Sequence, residues 1–458
     1  MSANENTNTP TTTTVGSIDD EVLAYTAGKD VVLDQALVEV DCLGTAAHVT
    51  MLAEIPVDPP LLTPDERDAV LAELRNLVAK ARAGNFEITL ADQDVHLAVE
   101  RQLTESLGDL GKKVHTARSR NDQVALDLRL HARDELAGTI REVVELAAAF
   151  NAFGDVNAAV PMVGRTHMQP AMPSSVGLWA TAQTEGLLDD LHPLLAAAKA
   201  NHRSPLGSAA GYGVPLPIDR QRVSDLLHFD APVHNVLYAS IARGKIECII
   251  LQALGQVMLT LSRVAQDLML YTLPEFAYFR FPAAFGTGSS IMPNKNNPDV
   301  LELIRGKTSV VLAHAHAVEN IIKSAPSGYN RDLQEAKEAY MEGLRITRAS
   351  LRVLTRLVEG LEVNEEALVA GFTPGVFATD RALELVAGGM PFRDAYHHVK
   401  NHLDELEAMD PRESVGKKTH LGGTAGLDFA GYRERLAAAG EEAAAYEQAS
   451  AAAWQLLA

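Results

Sequence analysis

The chain has 458 residues, 47% of them hydrophobic and only 5% aromatic, with a formal net charge of −20. That length allows two or three domains around a large core, whereas so acidic a surface repels phosphate backbones and excludes nucleic acid as the main partner. An anionic ligand would need a locally basic pocket inside this acidic envelope.

From Ser2 to Ser17 the chain is rich in Thr and Asn, with no apolar run and no arginine. Residues 1–18 are therefore expected to form a disordered tail, not a signal or transit peptide. Cys42 and Cys248 sit among apolar residues and make neither a disulfide framework nor a metal-spacing pattern; they read as small core residues. The stripe Leu136, Ile140, Val143, Val144 and Ala147 predicts a long helix. Arg243 to Tyr271 is apolar almost all round, which predicts a helix surrounded by other helices. Its most apolar part, Cys248 to Leu261, is bracketed by Glu247 and Arg263 and interrupted by Gln252 and Gln256. It reads as too short and too interrupted to span a bilayer, so no membrane partner and a cytoplasmic location are expected. A third long helix is predicted over Val300 to Lys323, entered through Pro298 and Asp299. Pro/Gly clusters at Pro56 to Pro60, Ser204 to Pro217 and Thr373 to Gly375 predict turns. No strand-period alternation of useful length and no internal repeat is found, so an all-α bundle of long helices is the simplest architecture.

Four polar clusters interrupt this pattern. The stretch from Leu273 to Pro298 lies between two strong helices and carries Pro274, Pro282, Gly286, Gly288, Pro293 and Pro298. Loops this long inside a compact domain are usually functional. Ser289, Ser290 and Lys295 with the loop's backbone N–H groups would suit an anion, although an ordinary polar loop fits the residue types as well. The segment matches neither a phosphate-binding P-loop, nor a dinucleotide fingerprint, nor a nucleophile elbow. The second cluster, His115 to Asp122, offers Arg118 and Arg120 flanked by Thr116, Ser119 and Asn121, a donor set suited to carboxylates or to a salt-bridged helix start. The third, Gly164 to Pro170, places Thr166 and His167 at a loop edge. The fourth, Tyr329 to Lys337, is polar throughout and by itself fits a solvated helix start. His314/His316 and His397/His398 are spaced wrongly for a shared metal, and no H-E-x-x-H is present, so no metal site is expected.

Together the clusters resemble one family. Gly288 to Pro298 reads G-S-S-x-M-P-x-K-x-N-P, which is similar to the signature of the fumarase/aspartase superfamily. His115 to Gln123, Tyr329 to Glu338, Asp94-Val95-His96 and Pro215 to Arg220 narrow the resemblance to the argininosuccinate lyase/delta-crystallin family. It runs from about Gly28 to about Lys400. The resemblance implies a three-domain all-α fold whose long central bundle forms the core of a homotetramer. Its layout places a tail at 1–18, an N-terminal helical domain at 19–117, the bundle at 118–366 and a C-terminal helical domain at 367–458.

The implied reaction is anti elimination of argininosuccinate to arginine and fumarate, with neither metal nor organic cofactor. Carried over by motif, Ser289 would be the base, while Lys295 and Asn297 would hold the carboxylate whose charge grows. His167 paired with Glu302 would protonate the departing nitrogen or orient a proton carrier. Ser119, Arg120, Asn121 and Thr166 would hold the fumarate half; Tyr329, Gln334 and Lys337 would select the arginine half, with Arg243 and His96 close by. In the superfamily three subunits each contribute one region to a site, so the basic pocket would be assembled from separate chains. Two departures stand out: Ala117 where the family usually has Gly, and Asn296 where it has a second lysine. Related readings are a superfamily lyase acting on another N-succinyl substrate, and a non-catalytic crystallin-like paralogue.

Overall fold

The computed structural model describes residues 11–13 and 16–458. Most of the expected N-terminal tail lies outside the described residues; within it, Thr11–Thr13 pairs antiparallel with Gly16–Ile18. Eight of the longer helices position the site: α1 (Val38–Glu54), α2 (Val95–Leu107), α3 (Arg120–Val156), α4 (Val176–Asn201), α5 (Lys245–Tyr271), α6 (Asp299–Ile322), α7 (Ala336–Glu359) and α8 (Phe429–Ala453). Between α3 and α4 runs a hairpin of β1 (Pro161–Thr166) and β2 (Gln169–Ser175).

The all-α class holds, since every sheet among the described residues is a two-stranded pair. Helices α3 to α7 pack along one another as the bundle, and α8 returns to lie against α3 and α4. Local chemistry sets the helix starts. Ser119 caps α3 and forms a reciprocal capping box with Asp122, satisfying donors that the first turn leaves free. The side chains of Asp94 and Ser175 do the same for α2 and α4. The stripe predicted through the 140s is buried inside α3, with Leu136, Ile140, Val143 and Ala147 inaccessible.

Three expectations need correction. The hairpin at Pro161–Ser175 was not visible as alternation, because a two-stranded ribbon with prolines at 161, 170 and 173 buries no continuous face. Helix α5, expected to be apolar almost all round, keeps a solvent stripe of Gln252, Gln256, Leu259, Arg263 and Gln266. Contrary to the judgement that its apolar run is too short, Lys245–Tyr271 and Asp30–Glu54 are both long and apolar enough to cross a membrane. Those spans are 61% and 83% buried inside the protein, as core helices are.

A charged clamp joins α3 to α7. Arg348 donates to Glu135 at 2.9 Å and to Glu142 at 2.8 Å, and Arg352 reaches Glu142 at 2.8 Å. The guanidinium of Arg348 crosses α3 where residue 138 is glycine; a Cβ there would lie 2.5 Å from it. Glu142 is almost fully buried, and removing it leaves Arg348 with Glu135 alone and takes away the ion-pair partner of Arg352. Glu142→Ala is expected to lower unfolding free energy by about 3 kcal/mol, read from denaturant titration. A loss below about 1 kcal/mol would show that the clamp is no more than a surface ion pair.

Candidate active site

At one end of the bundle lies a cavity of about 130 Å³ lined by Asp30, Asp94, His96, Arg120, Asn121, Val124, Arg243, Tyr329, Arg331, Gln334 and Lys337. Five separate stretches of sequence meet here. His96 comes from the first turn of α2, and Arg120 and Asn121 from the first turn of α3. Arg243 precedes α5; Gly244 has φ +75°, and a Cβ there would meet Ile322 at 2.4 Å, so the tight start of α5 requires glycine. Tyr329 to Lys337 forms a 3₁₀ turn over Arg331–Glu335 that leads into α7.

The cavity is rich in positive charge. Lys337, predicted as part of a solvated helix start on residue type alone, is fully buried, with its ammonium 2.6 Å from Asp34 and 3.1 Å from Asp30. Asp34 in turn accepts the Val95 N–H at 3.2 Å, tying the N-terminal segment to α2 as well as to α7. Burial pushes the Asp30 carboxyl upward, opposed mainly by Lys337. Arg120 binds Asp94, with Nε at 2.7 Å. Arg243 is 6% exposed, stacks over Tyr329 at 5.3 Å, and has a buried Nε without a partner. Gln334 donates to the carbonyls of Thr26 and Ala27 at 3.0 and 3.3 Å and accepts from Arg331 at 3.1 Å. The arrangement can therefore take a ligand with several carboxylates and still offer acceptors to a cationic group.

The turn before α3 is set from behind. His48, kept neutral by burial, donates through Nε2 to the Thr116 carbonyl at 2.8 Å. Arg118 is half-buried, donating to Thr45 at 2.9 Å and to the Val114 carbonyl at 3.1 Å. Ala117 has φ +62°, which explains why glycine suits that position. The Ser119 hydroxyl accepts the Asn121 N–H at 3.3 Å as the helix cap and does not line the cavity.

The remaining predicted residues stand elsewhere. His167 and Met168 form the two-residue turn of the hairpin, both with positive φ (+53° and +64°). Non-glycine residues at both such positions are strained, a condition found mainly at functional sites. Ser289 follows a short antiparallel pairing of Thr287–Gly288 with Asn296–Asn297, and its hydroxyl accepts the Ile291 and Met292 N–H groups at 3.3 and 3.1 Å. Lys295 and Thr166 are exposed and Asn297 is half-buried. His167 and Glu302 are both exposed, and no ion pair joins them among the described residues. The loop follows the C-terminal end of α5, whereas Arg243 precedes its start; 27 residues of helix separate them by roughly 40 Å. One chain thus gathers Arg120, Arg243 and Lys337, which were expected from separate chains, but leaves Lys295 at the other end.

Asp30, Arg331 and Asp94 line the cavity without having been singled out as site residues. Arg331 lay inside a quoted cluster, and Asp94 inside the Asp94-Val95-His96 match; nothing in the sequence marks Asp30. Behind the cavity, Asp41, His96 and Asp127 bring their polar atoms within 4.8 Å of one another, and among the described residues this group could hold a cation. Their spacing in the chain carries no metal signature, and His96 Nδ1 is already hydrogen-bonded to Asp41 at 2.6 Å.

A family described as lyase matches residues 25–313. An argininosuccinate lyase of Sorangium cellulosum is 44% identical over 92% of this chain and 97% of its own length. One from Xylella fastidiosa is 39% identical over 92% and 93%. Among solved structures, an EDDS lyase in complex with formate superposes with TM-score 0.78 at 22% identity, covering 95% of this chain and 93% of its own. A fumarate lyase:delta crystallin from Brucella melitensis gives 0.70 at 21% identity over 93% and 99%. These structures share the fold.

Ala117→Gly is expected to raise stability by roughly 0.5 kcal/mol, the left-handed strain relieved less the added chain entropy. Ala117→Val should lower it by about 1–2 kcal/mol, because a β-branched residue tolerates that φ poorly. Thermal midpoints of the two variants check this; the opposite order would mean that the turn does not hold Ala117 in the left-handed region.

Proposed function

The chain belongs to the argininosuccinate lyases, and from that premise we propose that the cavity at Arg120, Arg243 and Lys337 holds the substrate while a second chain brings the catalytic loop to it. As a lyase of this family it catalyses the elimination of argininosuccinate to arginine and fumarate. The observation that carries the proposal is Arg243: a buried guanidinium with no carboxylate partner among the described residues, facing a cavity of several donors. A buried unpaired charge is costly unless a ligand of opposite sign completes it.

The difficult step is removal of a weakly acidic C–H proton next to a carboxylate. Ser289 is the proposed base, and its hydroxyl already accepts two backbone N–H groups, which favour the alkoxide. Lys295 and Asn297 stabilise the carboxylate as it gains charge. His167, with Glu302, supplies the proton to the departing nitrogen. Arg120, Asn121 and Thr166 grip the fumarate half, with Ser119 fixing their turn; Tyr329, Gln334 and Lys337 select the arginine half.

We propose that the chain works as a homotetramer in the cytoplasm. The roughly 40 Å between the loop end and the cavity end of α5 supports a site that draws its loop from another chain. Helix α6 supports self-association: Leu303, Gly306, Val310, Ala313 and Ala317 are exposed at alternating three- and four-residue steps, an apolar seam with coiled-coil spacing. Glu302 stands at one end of that seam.

Fumarate release, followed by ultraviolet absorbance, tests the assignment. Ser289→Ala is expected to lower kcat at least a thousandfold while argininosuccinate binding persists. Arg243→Met is expected to raise KM more than tenfold without lowering the thermal midpoint, since it removes an unpaired buried charge. At substrate concentrations well below the raised KM, co-refolded mixtures of Ser289→Ala and Arg243→Met chains should recover more activity than either has alone, because some sites then draw both intact regions from different subunits. No recovery in a mixture proven to be hetero-oligomeric would overturn the shared site.

A further inference from the structure

Three side chains from three helices meet behind the cavity: Asp41 on α1, His96 on α2 and Asp127 on α3, each no more than 3% exposed. His96 Nδ1 lies 2.6 Å from Asp41 Oδ2 and 3.5 Å from Asp127 Oδ2. A carboxylate only accepts, so Nδ1 carries the proton. Burial, with Asp41 beside it, pushes the Asp127 carboxyl well above its usual range. Asp127 Oδ2 is buried beside the pair without a hydrogen-bond partner of its own. The ring's other nitrogen, Nε2, is buried without a partner, and His96 lines the cavity.

The groups around this trio are mostly committed. Asp34 and Asp30 hold Lys337, Asp94 holds Arg120, and Arg118 is bonded to Thr45 and the Val114 carbonyl. Arginine and lysine donors dominate the cavity, yet the substrate is itself cationic at its guanidinium and needs an acceptor there. A further carboxylate at this place would pair with Arg120 or Arg243 instead. A neutral imidazole accepts without competing for them.

We infer that His96 is a substrate-contacting residue whose Nε2 accepts a guanidinium N–H of the arginine half, and that Asp41, braced by Asp127, is the positioning residue that fixes this tautomer. This rests on the reading that the cavity takes the substrate. The alternative use of the same atoms is a divalent cation bound by all three residues.

Asp41→Asn is expected to raise KM for argininosuccinate by about tenfold, with kcat changing less than KM. Asp127→Asn, which keeps the side-chain size and lies farther from His96 Nδ1, should raise KM less than Asp41→Asn. Should Asp41→Asn fail to fold, His96→Phe, which keeps the ring and removes both nitrogens, should raise KM by about tenfold. Nitrogen-15 NMR of histidine-labelled protein should show His96 protonated at Nδ1 and bare at Nε2, a state that a purely structural histidine need not adopt. A proton on Nε2 instead, or an unchanged KM in His96→Phe, overturns the inference. So does cobalt bound in one-to-one amount by the full-length protein and lost in His96→Phe. If Arg243→Met also leaves KM unchanged, the cavity reading fails; if Arg243→Met raises KM and His96→Phe does not, only this inference fails.

Discussion

One buried carboxylate organises the site end of the molecule. Asp34 is fully inaccessible, holds the Lys337 ammonium at 2.6 Å through one oxygen and receives the Val95 N–H at 3.2 Å through the other. Three segments remote in sequence are thereby pinned together: the stretch before α1, the start of α2 and the start of α7. A charge pair this deep persists only when its remaining valences are met, and Asp30 meets one of them. His96 follows Val95 directly, and Gln334 precedes Lys337 by less than one helical turn. Their places in the cavity therefore depend on Asp34, although it touches neither.

Backbone strain occurs at two parts of the proposed site, as it also does at Gln93, Ala209, His228 and Ala277. Ala117, His167 and Met168 all sit at positive φ without being glycine, one before the cavity's helix and two at the tip of the hairpin. Such conformations each cost about 1–3 kcal/mol and persist where surrounding contacts over-determine them. Around Ala117 those contacts are visible: His48 and Arg118 grip the turn from the core, and the Ser119 cap closes it. The hairpin tip is exposed, and Arg165 holds it through one hydrogen bond to the Met168 carbonyl at 3.3 Å.

The long helices were legible because their signal is local: periodic burial in α3 and the apolar length of α5 reflect one face or several facing a core. The loop from Leu273 to Pro298 was legible for the opposite reason, as a break between two such helices. Hairpin β1–β2 was not legible, since its strands bury little and follow no alternation. Among site residues, Arg120, Tyr329, Gln334 and Lys337 came from motifs, and the structure gathers them. Asp30, Asp41 and Asp127 had no signal at all. Their importance lies in distances between α1, α2, α3 and the N-terminal segment, which no spacing along one chain encodes.

The acidic surface and the basic cavity are two sides of one constraint. With a net charge of −20, the chain attracts a polycarboxylate substrate only where cations are gathered and withheld from surface acids. Burial achieves this unevenly. Lys337 and Arg120 are partly neutralised by Asp34, Asp30 and Asp94, so their charge is used mainly to hold geometry. Arg243 alone among the deeply buried cavity cations has no carboxylate partner in the described chain. Its stack on Tyr329 offers the face of a ring in place of a counter-ion, which leaves its attraction available to an arriving carboxylate. The cost of keeping that guanidinium unpaired falls on the empty protein, and in the proposed site substrate binding would relieve it. Preorganised charge of this kind spends stability on affinity, which is why the most informative replacement in the cavity is one that should leave the fold firmer and the enzyme worse.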